Sequence, residues 1–453
     1  MSKVRKHLSA VVALAVGTTL FIAGCGQQAK KNDQQTPSPT VIETKKEPTV
    51  IKFAHWSISQ QELYQKMIED FEAKNPDIKI ELEMLSSGKA DEFQQKYDML
   101  LVSGDTTDII PTKSISDHIA RAKNGVFEPL NDFLAKDGIN IKQDYLFDPS
   151  FNGTTYGIPG RADGFFVLLN KKHLDEANLP VPNYDWTWED YREYAKKLTK
   201  GEGKDKRYGS MNPTWGDPVH TYLAVTSTKL DNPLFKDENT HNLGDIVLKD
   251  FMKFKFEMEN VDKVQVPYFE VKAQKLDYKS MFFNEKISML PIGTFILGDI
   301  KNVEKYPHDF VTTFAPQPRW KDSPAGRERG DGTIYSINKQ SKNKEAAYKF
   351  LKYFTQEGCI LVGDMPAYKK ADIKEVIAKI TAGGEKYYDI EALTNVLGNK
   401  DRQFNVSTIV PAQHSQIKDI LLEESEKYFV GGQSLDATVD NMVKRADEVM
   451  AKK

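Results

Sequence analysis

Two kinds of hydrophobic pattern alternate along residues 48–112, and this alternation limits the possible folds more than any other feature of the chain. The stretch "TVIKFAH" has the near-continuous apolar character of a buried strand. In the next segment, apolar residues such as Met67 and Phe71 recur at helical spacing until Pro76 ends the pattern. The strand-like segments "IKIELEM" and "DIIPT" follow, separated by a second helical segment. Strands that alternate with helices predict an α/β fold with mostly parallel sheets flanked by helices.

The carboxyl ends of these strands are the expected place for a binding site. In open α/β sheets, ligands bind in the crevice beyond the carboxyl ends of the strands. Trp56 directly follows the first predicted strand, and Pro111 lies near the end of a later one. We therefore expect a functional cleft at this edge of the sheet.

The first 25 residues have the order of a secretory signal. Basic residues precede a mostly apolar run over positions 8–23, and the small pair Ala23-Gly24 stands directly before Cys25. The run is short for a bilayer span and is interrupted by Gly17, which disfavours a stable transmembrane helix. The segment "IAGC" resembles a bacterial lipobox, whose cysteine takes a diacylglyceryl group and becomes the N-terminus after cleavage. The alternative is an ordinary secretory signal with an incidental cysteine.

We therefore expect a lipoprotein signal peptide over residues 1–24, with a lipidated Cys25 at the start of residues 25–47. The tract after Cys25 is rich in Gln, Lys, Asn, Thr, Ser and Pro and has little to bury, which predicts a disordered tether. Two acyl chains on one residue supply the two signals that stable anchoring requires. The expected location is the extracellular face of the cell membrane, without a span.

The net charge argues against nucleic acid as a partner, and the cysteine content argues against disulfides and cysteine-based metal sites. The formal net charge is −3, and the predicted leader holds three basic residues, so the mature body is near −6. Such a body has no electrostatic reason to bind nucleic acid. With Cys25 acylated, Cys359 has no cysteine partner, so we expect neither a disulfide framework nor a cysteine-based metal site. Cys359 itself is expected to be a buried free thiol.

The order of landmarks along the body resembles the family 1 extracellular solute-binding proteins of bacterial ABC importers, the group that includes the maltose-binding type. The resemblance is carried by eight segments in family order, among them "IKFAHW", "LLVSGDTTDII", "GVFEPLNDFL", "TYGIPGRADGFFVLLNKKHLDEANL", "TWEDYREYAKKL", "FNEKISMLPIG" and "GGQSLDATVDNM". It implies a type II periplasmic-binding-protein-like fold with two lobes, hinge strands between them and a ligand in the cleft. The implied lobes are 48–160 plus 316–366 and 161–315 plus 367–453.

Aromatic residues on cleft loops are the first candidates for ligand contacts, because carbohydrate binds through C–H surfaces stacked on aromatic faces. Trp56 is the best candidate by its place after the first strand, and its alternative role is a core-capping indole. Trp215, in "NPTWGDPVH", is either a cleft platform or a packed loop anchor. Phe295 matches a family position that often holds a cleft-lining Trp. Trp188 is expected to pack structurally, and the role of Trp186 stays open.

Polar candidates lie at the predicted crossovers. Arg161 and Asp163 follow the "GIP" turn, where they could hydrogen-bond a ligand or pair with each other. The run "RWKDSPAGRERGDG" places four basic residues around Trp320, which fits a solvated loop or a clamp for acidic sugars. Asp331 is a weaker hydrogen-bond candidate. The stretch "KGEGKDKRYG" has too few aligned oxygens for a calcium loop, so we expect no metal and no cofactor.

The resemblance implies a monomeric binding protein that captures a carbohydrate, in particular an oligosaccharide, and delivers it to the transmembrane permease of an ABC importer. A secreted glycosidase or lyase is the first alternative, although no G-x-S-x-G, H-E-x-x-H or Walker motif occurs. A lipoprotein that binds peptides or surfaces is the second. The chain shows no nucleotide site, so the ATPase must be another polypeptide.

The anchor can be tested directly. We expect mass spectrometry of the membrane fraction to find a mature N-terminus at acylated Cys25. A Cys25→Ser variant is expected to leave the membrane fraction, since its hydroxyl cannot take the thioether-linked lipid. A Cys359→Ser variant serves as the control and should stay with the membrane. Recovery of wild-type protein without acyl chains would contradict the lipobox interpretation.

Overall fold

The computed structural model describes residues 47–86, 88–214, 219 and 230–452. The leader, Cys25, the tether up to residue 46 and Trp215 lie outside these residues. The body described below belongs to one compact unit that begins at residue 47.

The described body is organised on one large mixed sheet. Seven strands lie in the order β2-β1-β3-β10-β4-β8-β5, with β9 paired to β4 and β11 paired to β10. A separate hairpin is formed by β6 and β7. The strands are β1 (Thr49–His55), β2 (Ile78–Met84), β3 (Ile109–Thr112), β4 (Ile158–Asn170), β5 (Tyr208–Ser210), β6 (Phe235–Asp237), β7 (Thr240–His241), β8 (Ile287–Gly293), β9 (Thr312–Pro316), β10 (Arg327–Ile337) and β11 (Gln403–Asn405).

The predicted α/β class is confirmed, but the sheet is mixed where mostly parallel strands were expected. β1 pairs in parallel with β2 and β3, and β5 pairs in parallel with β8. The long strands β4 and β10 are antiparallel to each other, and they also run antiparallel to β8 and β3 respectively. β4 pairs with β10 along its first half and with β8 and β9 along its second half. These two strands therefore join two parallel groups instead of extending either one.

Helices cover both groups of strands, and short polar side chains fix where many of them begin. The Thr187 hydroxyl accepts from the backbone N–H of Asp190, whose carboxylate accepts from the N–H of Thr187, a reciprocal capping box. The helices are Gln61–Lys74, Ala90–Val102, Ile115–Lys123, Asn131–Lys136, Ile141–Asp144, Lys171–Glu176, Trp188–Leu198, Ile246–Phe256, Tyr268–Gln274, Tyr278–Phe283, Leu297–Ile300, Lys344–Tyr353, Cys359–Leu361, Ile373–Thr381, Ile390–Leu397, His414–Phe429 and Leu435–Met450. In the part of the chain that the structure describes, no helix combines the length and the apolar character needed to cross a bilayer.

The apolar core is divided between two halves of the body. The first half holds a cluster around Phe53 and Phe350 and a smaller one around Trp56 and Phe93. The second half holds one cluster around Trp188 and another around Phe282. The expectations that Trp188 packs structurally and that Cys359 is a buried free thiol are both confirmed.

Phe53 is central to the core of the first half. Its side chain is 0 % exposed, and its ring lies 5.3 Å from that of Phe350 and 5.4 Å from that of Phe354. We expect Phe53→Ala to lower the free energy of unfolding by about 3–5 kcal/mol, because it removes buried area and leaves a cavity. Val50→Ala, on the same strand at a side chain that is 47 % exposed, should change it by less than about 0.5 kcal/mol. Urea unfolding of both variants measures the difference, and equal losses would contradict the assigned core.

Candidate binding cleft

The carboxyl ends of the parallel strands of both halves converge on the middle of β4 and β10. β3 ends at Thr112, which lies opposite Ile334 of β10. β8 ends at Gly293, which lies opposite Phe165 of β4. Since Ile334 also pairs with Pro159, the two sets of strand ends are separated by six residue steps along β4, from Pro159 to Phe165, or about 20 Å of extended chain. This stretch, residues 159–165, is called the bridge segment here. The bridge segment and the part of β10 that pairs with it lie between the two groups of strand ends, and together they are called the floor of the cleft.

A third piece of chain flanks the bridge segment. The N–H of Ala367 donates to the carbonyl of Gly160 at 2.7 Å, and the N–H of Ala162 donates to the carbonyl of Met365 at 2.8 Å. The bridge segment is therefore bonded to β10 on one side and to residues 365–367 on the other. Backbone groups that cross between the two halves are paired by these bonds instead of being left to water.

Arg161 and Asp163 lie on the bridge segment and bind each other. The Nη2 of Arg161 donates to Oδ2 of Asp163 at 3.1 Å, and its Nε lies 2.9 Å from Oδ1. Asp331 of β10 is the cross-strand neighbour of Asp163. Its Oδ1 accepts from the backbone N–H of Ile115 at 3.0 Å and from that of Gly332 at 2.9 Å. Three of the predicted polar candidates are thus brought together on one floor.

The Arg161 guanidinium faces a second carboxyl group, that of Asp364. Burial by itself works to lower the pKa of Arg161, but the carboxylates of Asp163 and Asp364 outweigh it and raise that pKa above its usual value. Burial raises the pKa of the Asp364 carboxyl group, and Arg161 and Gln60 oppose the shift without cancelling it. Arg161 therefore stays charged, while Asp364 is held in a site that disfavours its negative charge.

A buried hydrogen-bond network lies at the end of the first strand, close enough to Arg161 to feel its charge. The Nδ1 of His55 accepts from the backbone N–H of Ser57 at 3.0 Å, so the neutral ring carries its proton on Nε2. That Nε2 lies 2.9 Å from the hydroxyl of Tyr64 and 3.1 Å from that of Tyr335. Burial lowers the pKa of His55 well below its usual value, and Arg161 acts in the same direction. The ring is therefore neutral near pH 7, and it positions its neighbours without adding charge.

Trp56 is buried beside this network. Its side chain is 5 % exposed, its ring stacks on His55 at 4.8 Å between centroids, and it contacts Phe93 at 5.3 Å. Most of the indole faces protein, as expected for the core-capping alternative. The indole therefore exposes little surface to a ligand in this arrangement, although Trp56 lies directly beside the strand ends that form the cleft.

On the side of the second half, the cleft is formed by residues that follow β5 and β8. Phe295 is half-buried against the core, and Thr294 donates its hydroxyl hydrogen to the carbonyl of Ala162 on the bridge segment at 2.9 Å. Asn212 and Thr214 follow β5, and the next residue, Trp215, lies outside the described part of the chain. Phe295 thus directly follows the residue that binds the bridge segment.

The basic loop around Trp320 packs on the second half. The Trp320 ring meets that of Phe254 edge-on at 5.6 Å between centroids. Arg319 donates to three carbonyls of its own loop, those of Trp320, Lys321 and Ser323. Its backbone also pairs with Trp186 and Trp188. These contacts tie the loop to a neighbouring helix and not to the bridge segment.

Comparison with known proteins agrees with this architecture. The sequence profile described as bacterial extracellular solute-binding protein matches residues 56–358. The chain belongs to this family. Members of this family are carriers and not enzymes, so this solute-binding protein is a carrier as well.

Individual relatives extend over most of the body of this solute-binding protein. It is 26 % identical over 323 residues to the multiple sugar-binding protein of Streptococcus mutans, covering 69 % of this chain and 72 % of that protein. It is 25 % identical over 370 residues to the arabinooligosaccharide-binding protein of Bacillus subtilis, covering 77 % and 76 %. A sugar transporter from Rhizobium etli, solved in an open conformation, superposes with a TM-score of 0.73 at 25 % identity, covering 89 % of this chain and 100 % of that one.

Sequence reasoning missed several residues of this site. Asp364, Tyr64 and Tyr335 were not singled out, although Asp364 stands two residues before Pro366, where the sequence predicts a lobe crossing. His55 entered the sequence analysis only as the last residue of the first predicted strand. Among the described residues, no group of three or more His, Cys, Asp or Glu side chains is arranged to hold a metal ion.

The buried state of Asp364 predicts a measurable pH dependence. A raised pKa means that the folded protein binds the proton more tightly than the unfolded chain does, so stability falls as the pH rises through the folded pKa. We expect Asp364→Asn to raise the free energy of unfolding at about pH 7, with the difference disappearing below the unfolded pKa of about 4.

A second aspartate provides a control of opposite sign. Hydrogen bonds from Lys74 and Tyr353 lower the pKa of Asp70, so Asp70→Asn should reduce stability near neutral pH. Urea titrations of both variants over this pH range make the comparison. If Asp364→Asn were destabilising at neutral pH, the pairing with Arg161 would outweigh the effect of burial.

Proposed function

We propose that this solute-binding protein captures an oligosaccharide in the cleft between its two halves and delivers it to the transmembrane permease of an ABC importer. The observation that carries the proposal is the convergence of two sets of strand carboxyl ends on one bridge segment. The names of relatives support the ligand class, since one is a multiple sugar-binding protein and another an arabinooligosaccharide-binding protein.

The proposed contacts combine planar polar groups with one aromatic face. Arg161, Asp163 and Asp331 supply hydrogen-bonding groups along the floor, where sugar hydroxyls can both donate and accept. Phe295 supplies a stacking face from the second half. Trp56, Trp215 and Trp320 are also proposed as residues that contact the ligand.

The two halves are proposed to act as lobes that close around the ligand. Three crossings join them, at the bridge segment, in β10 and near Pro366. The proposed lobes keep the expected segments, except that the loop with Trp320 packs on the second half, which moves the second boundary from position 316 toward Gly330. A ligand that contacts both lobes favours the closed arrangement, because only there are all its contacts made.

The lipid anchor, the extracellular membrane face and the monomeric state belong to the same proposal. The sequence before the described body supports the anchor and the location through its lipobox-like cysteine and its polar tether. A tethered monomer stays close to the membrane while its cleft faces the medium, which raises its effective concentration at the permease.

The proposal predicts binding without turnover. Soluble body, residues 48–453, is incubated with maltotriose, arabinotriose, xylotriose and a set of short peptides. We expect at least one trisaccharide to raise the melting temperature, as ligand binding to the folded state must, and chromatography to recover that sugar intact. Shortened sugar would favour the enzyme alternative, and stabilisation by peptides alone would favour the peptide-binding alternative.

A matched pair of variants locates the site. Phe295→Ala is expected to weaken binding of the stabilising trisaccharide about tenfold, because it removes the proposed stacking face. Phe269→Ala removes a ring from the outer surface, where the side chain is 57 % exposed, and should leave affinity unchanged. Titration calorimetry measures both, and equal affinities would remove Phe295 from the site.

A further inference from the structure

We infer that residues 402–410 form a strap behind the cleft, and that this strap lowers the affinity for the ligand by opposing closure of the two halves. The residues of the strap are positioning residues, since they lie on the far side of the floor from the proposed ligand contacts. This inference rests on the proposed function, because it takes closure of the two halves as the step that completes the binding site.

The strap lies on the face of the β4–β10 ladder opposite to the polar candidates. Gly164 and Gly330 are directly paired in this ladder. Asp163 and Asp331 form the next pair along it. Because successive residues of a strand point to opposite faces, the glycine face is the back of the floor. A Cβ atom would lie 2.6 Å from a ring carbon of Phe404 at position 330 and 3.1 Å from another at position 164, so the phenyl ring occupies the space that the two glycines leave.

Both ends of the strap are attached to the second half. At its start, Nη1 of Arg402 donates to the carbonyl of Leu397 at 2.9 Å, and Leu397 is buried in the core of that half. Near its end, Nδ2 of Asn232 donates to the carbonyl of Ile409 at 3.3 Å, and Ile409 packs against the same half. The chain then continues into the helix His414–Phe429, which is also part of the second half. The strap is therefore not a fourth crossing but a segment of the second half.

The middle of the strap packs on the first half. Phe404 and Val406 lie against the cluster around Phe53 and Phe350, and Val410 is a buried member of that cluster. A segment that belongs to one half thus buries apolar side chains in the core of the other. Burial of this kind stabilises the arrangement in which the strap and the first half are in contact.

A lysine of the first half fastens the end of the strap. Nζ of Lys123 donates to the carbonyl of Val410 at 2.7 Å and lies 4.9 Å from the ring centroid of Phe151. It also binds both carboxylate oxygens of Glu238 at 3.2 Å. Glu238 belongs to the β6–β7 hairpin, whose Phe235 is buried in the core of the second half. Lys123 therefore joins the two halves directly as well as through the strap.

Closure of the cleft works against these contacts. The ladder is the hinge between the halves, so a rotation that narrows the angle on its aspartate face widens the angle on its glycine face. The strap moves with the second half, and its contacts with the first half loosen in this rotation. When a binding-competent state is only partly populated, the apparent affinity falls by its fraction. Weakening the strap should raise the closed fraction and tighten binding, although no residue that contacts the ligand is changed.

The first test removes the ring that packs on the two glycines. We expect Phe404→Ala to bind at least about fivefold more tightly the trisaccharide, among maltotriose, arabinotriose and xylotriose, that stabilises the wild-type protein. Phe133→Ala removes another ring from the core of the first half, where it stacks on Tyr348 at 4.9 Å, away from the ladder. Both variants should have a lower Tm, but the control should keep wild-type affinity. Titration calorimetry and thermal unfolding measure the two effects, and loss of packing alone does not tighten binding.

A second pair of variants leaves every apolar core residue in place. Lys123→Ala removes the charged contact between the halves, and we expect it to tighten binding of the same trisaccharide about twofold, as an ion pair that is partly exposed to solvent contributes little. Lys344→Ala removes a pair of similar exposure with Glu128 that lies within the first half. It should leave the affinity unchanged.

The results separate the inference from the proposed function. If Phe404→Ala and Lys123→Ala bind the trisaccharide no more tightly than the wild-type protein, the inference is overturned while the proposed function stands. If Phe404→Ala does not fold, the comparison of Lys123→Ala with Lys344→Ala decides. If none of the three trisaccharides binds to the wild-type protein, the proposed function fails and the inference fails with it.

Discussion

The antiparallel ladder between β4 and β10 is the constraint on which the rest of the structure depends. Both strands pass from one half of the body to the other, so their backbone groups must be paired at the level where the two cores separate. The ladder, together with residues 365–367, satisfies those groups, so that extended chain carries the connection between the two halves. Because extended strands bend more readily than packed cores deform, this arrangement allows the halves to move as bodies while the floor keeps its hydrogen bonds.

The close packing on this ladder explains one of its glycines. A Cβ atom at Gly160 would lie 2.5 Å from a ring carbon of Tyr335. Tyr335 in turn lies beside His55, so the absence of a side chain at position 160 lets the aromatic network rest directly on the bridge segment. The floor is thereby supported from below by neutral, hydrogen-bonded groups. Arg161, Asp163 and Asp331 add charged groups to this neutral support.

The electrostatic balance of the floor connects stability with recognition. Arg161 compensates Asp163 and partly compensates Asp364, so a buried positive charge stabilises carboxyl groups that would otherwise be unpaired in a low-dielectric site. The residues that we propose for recognition are therefore also residues that stabilise the fold.

The sequence by itself determined the fold class, because strand and helix periods, such as those of "TVIKFAH" and the segment with Met67 and Phe71, depend only on local spacing. It also placed Arg161, Asp163 and Asp331 near predicted crossings, and it named Trp188 and Cys359 as buried. Only the tertiary structure decided that Arg161 faces Asp163 and Asp364 together, that Trp56 is covered by His55 and Phe93, and that β4 and β10 make the sheet mixed. The physical reason is range: periodicity reports which face of an element is buried, whereas charge pairing and strand direction depend on residues that are distant in the chain and adjacent only after folding.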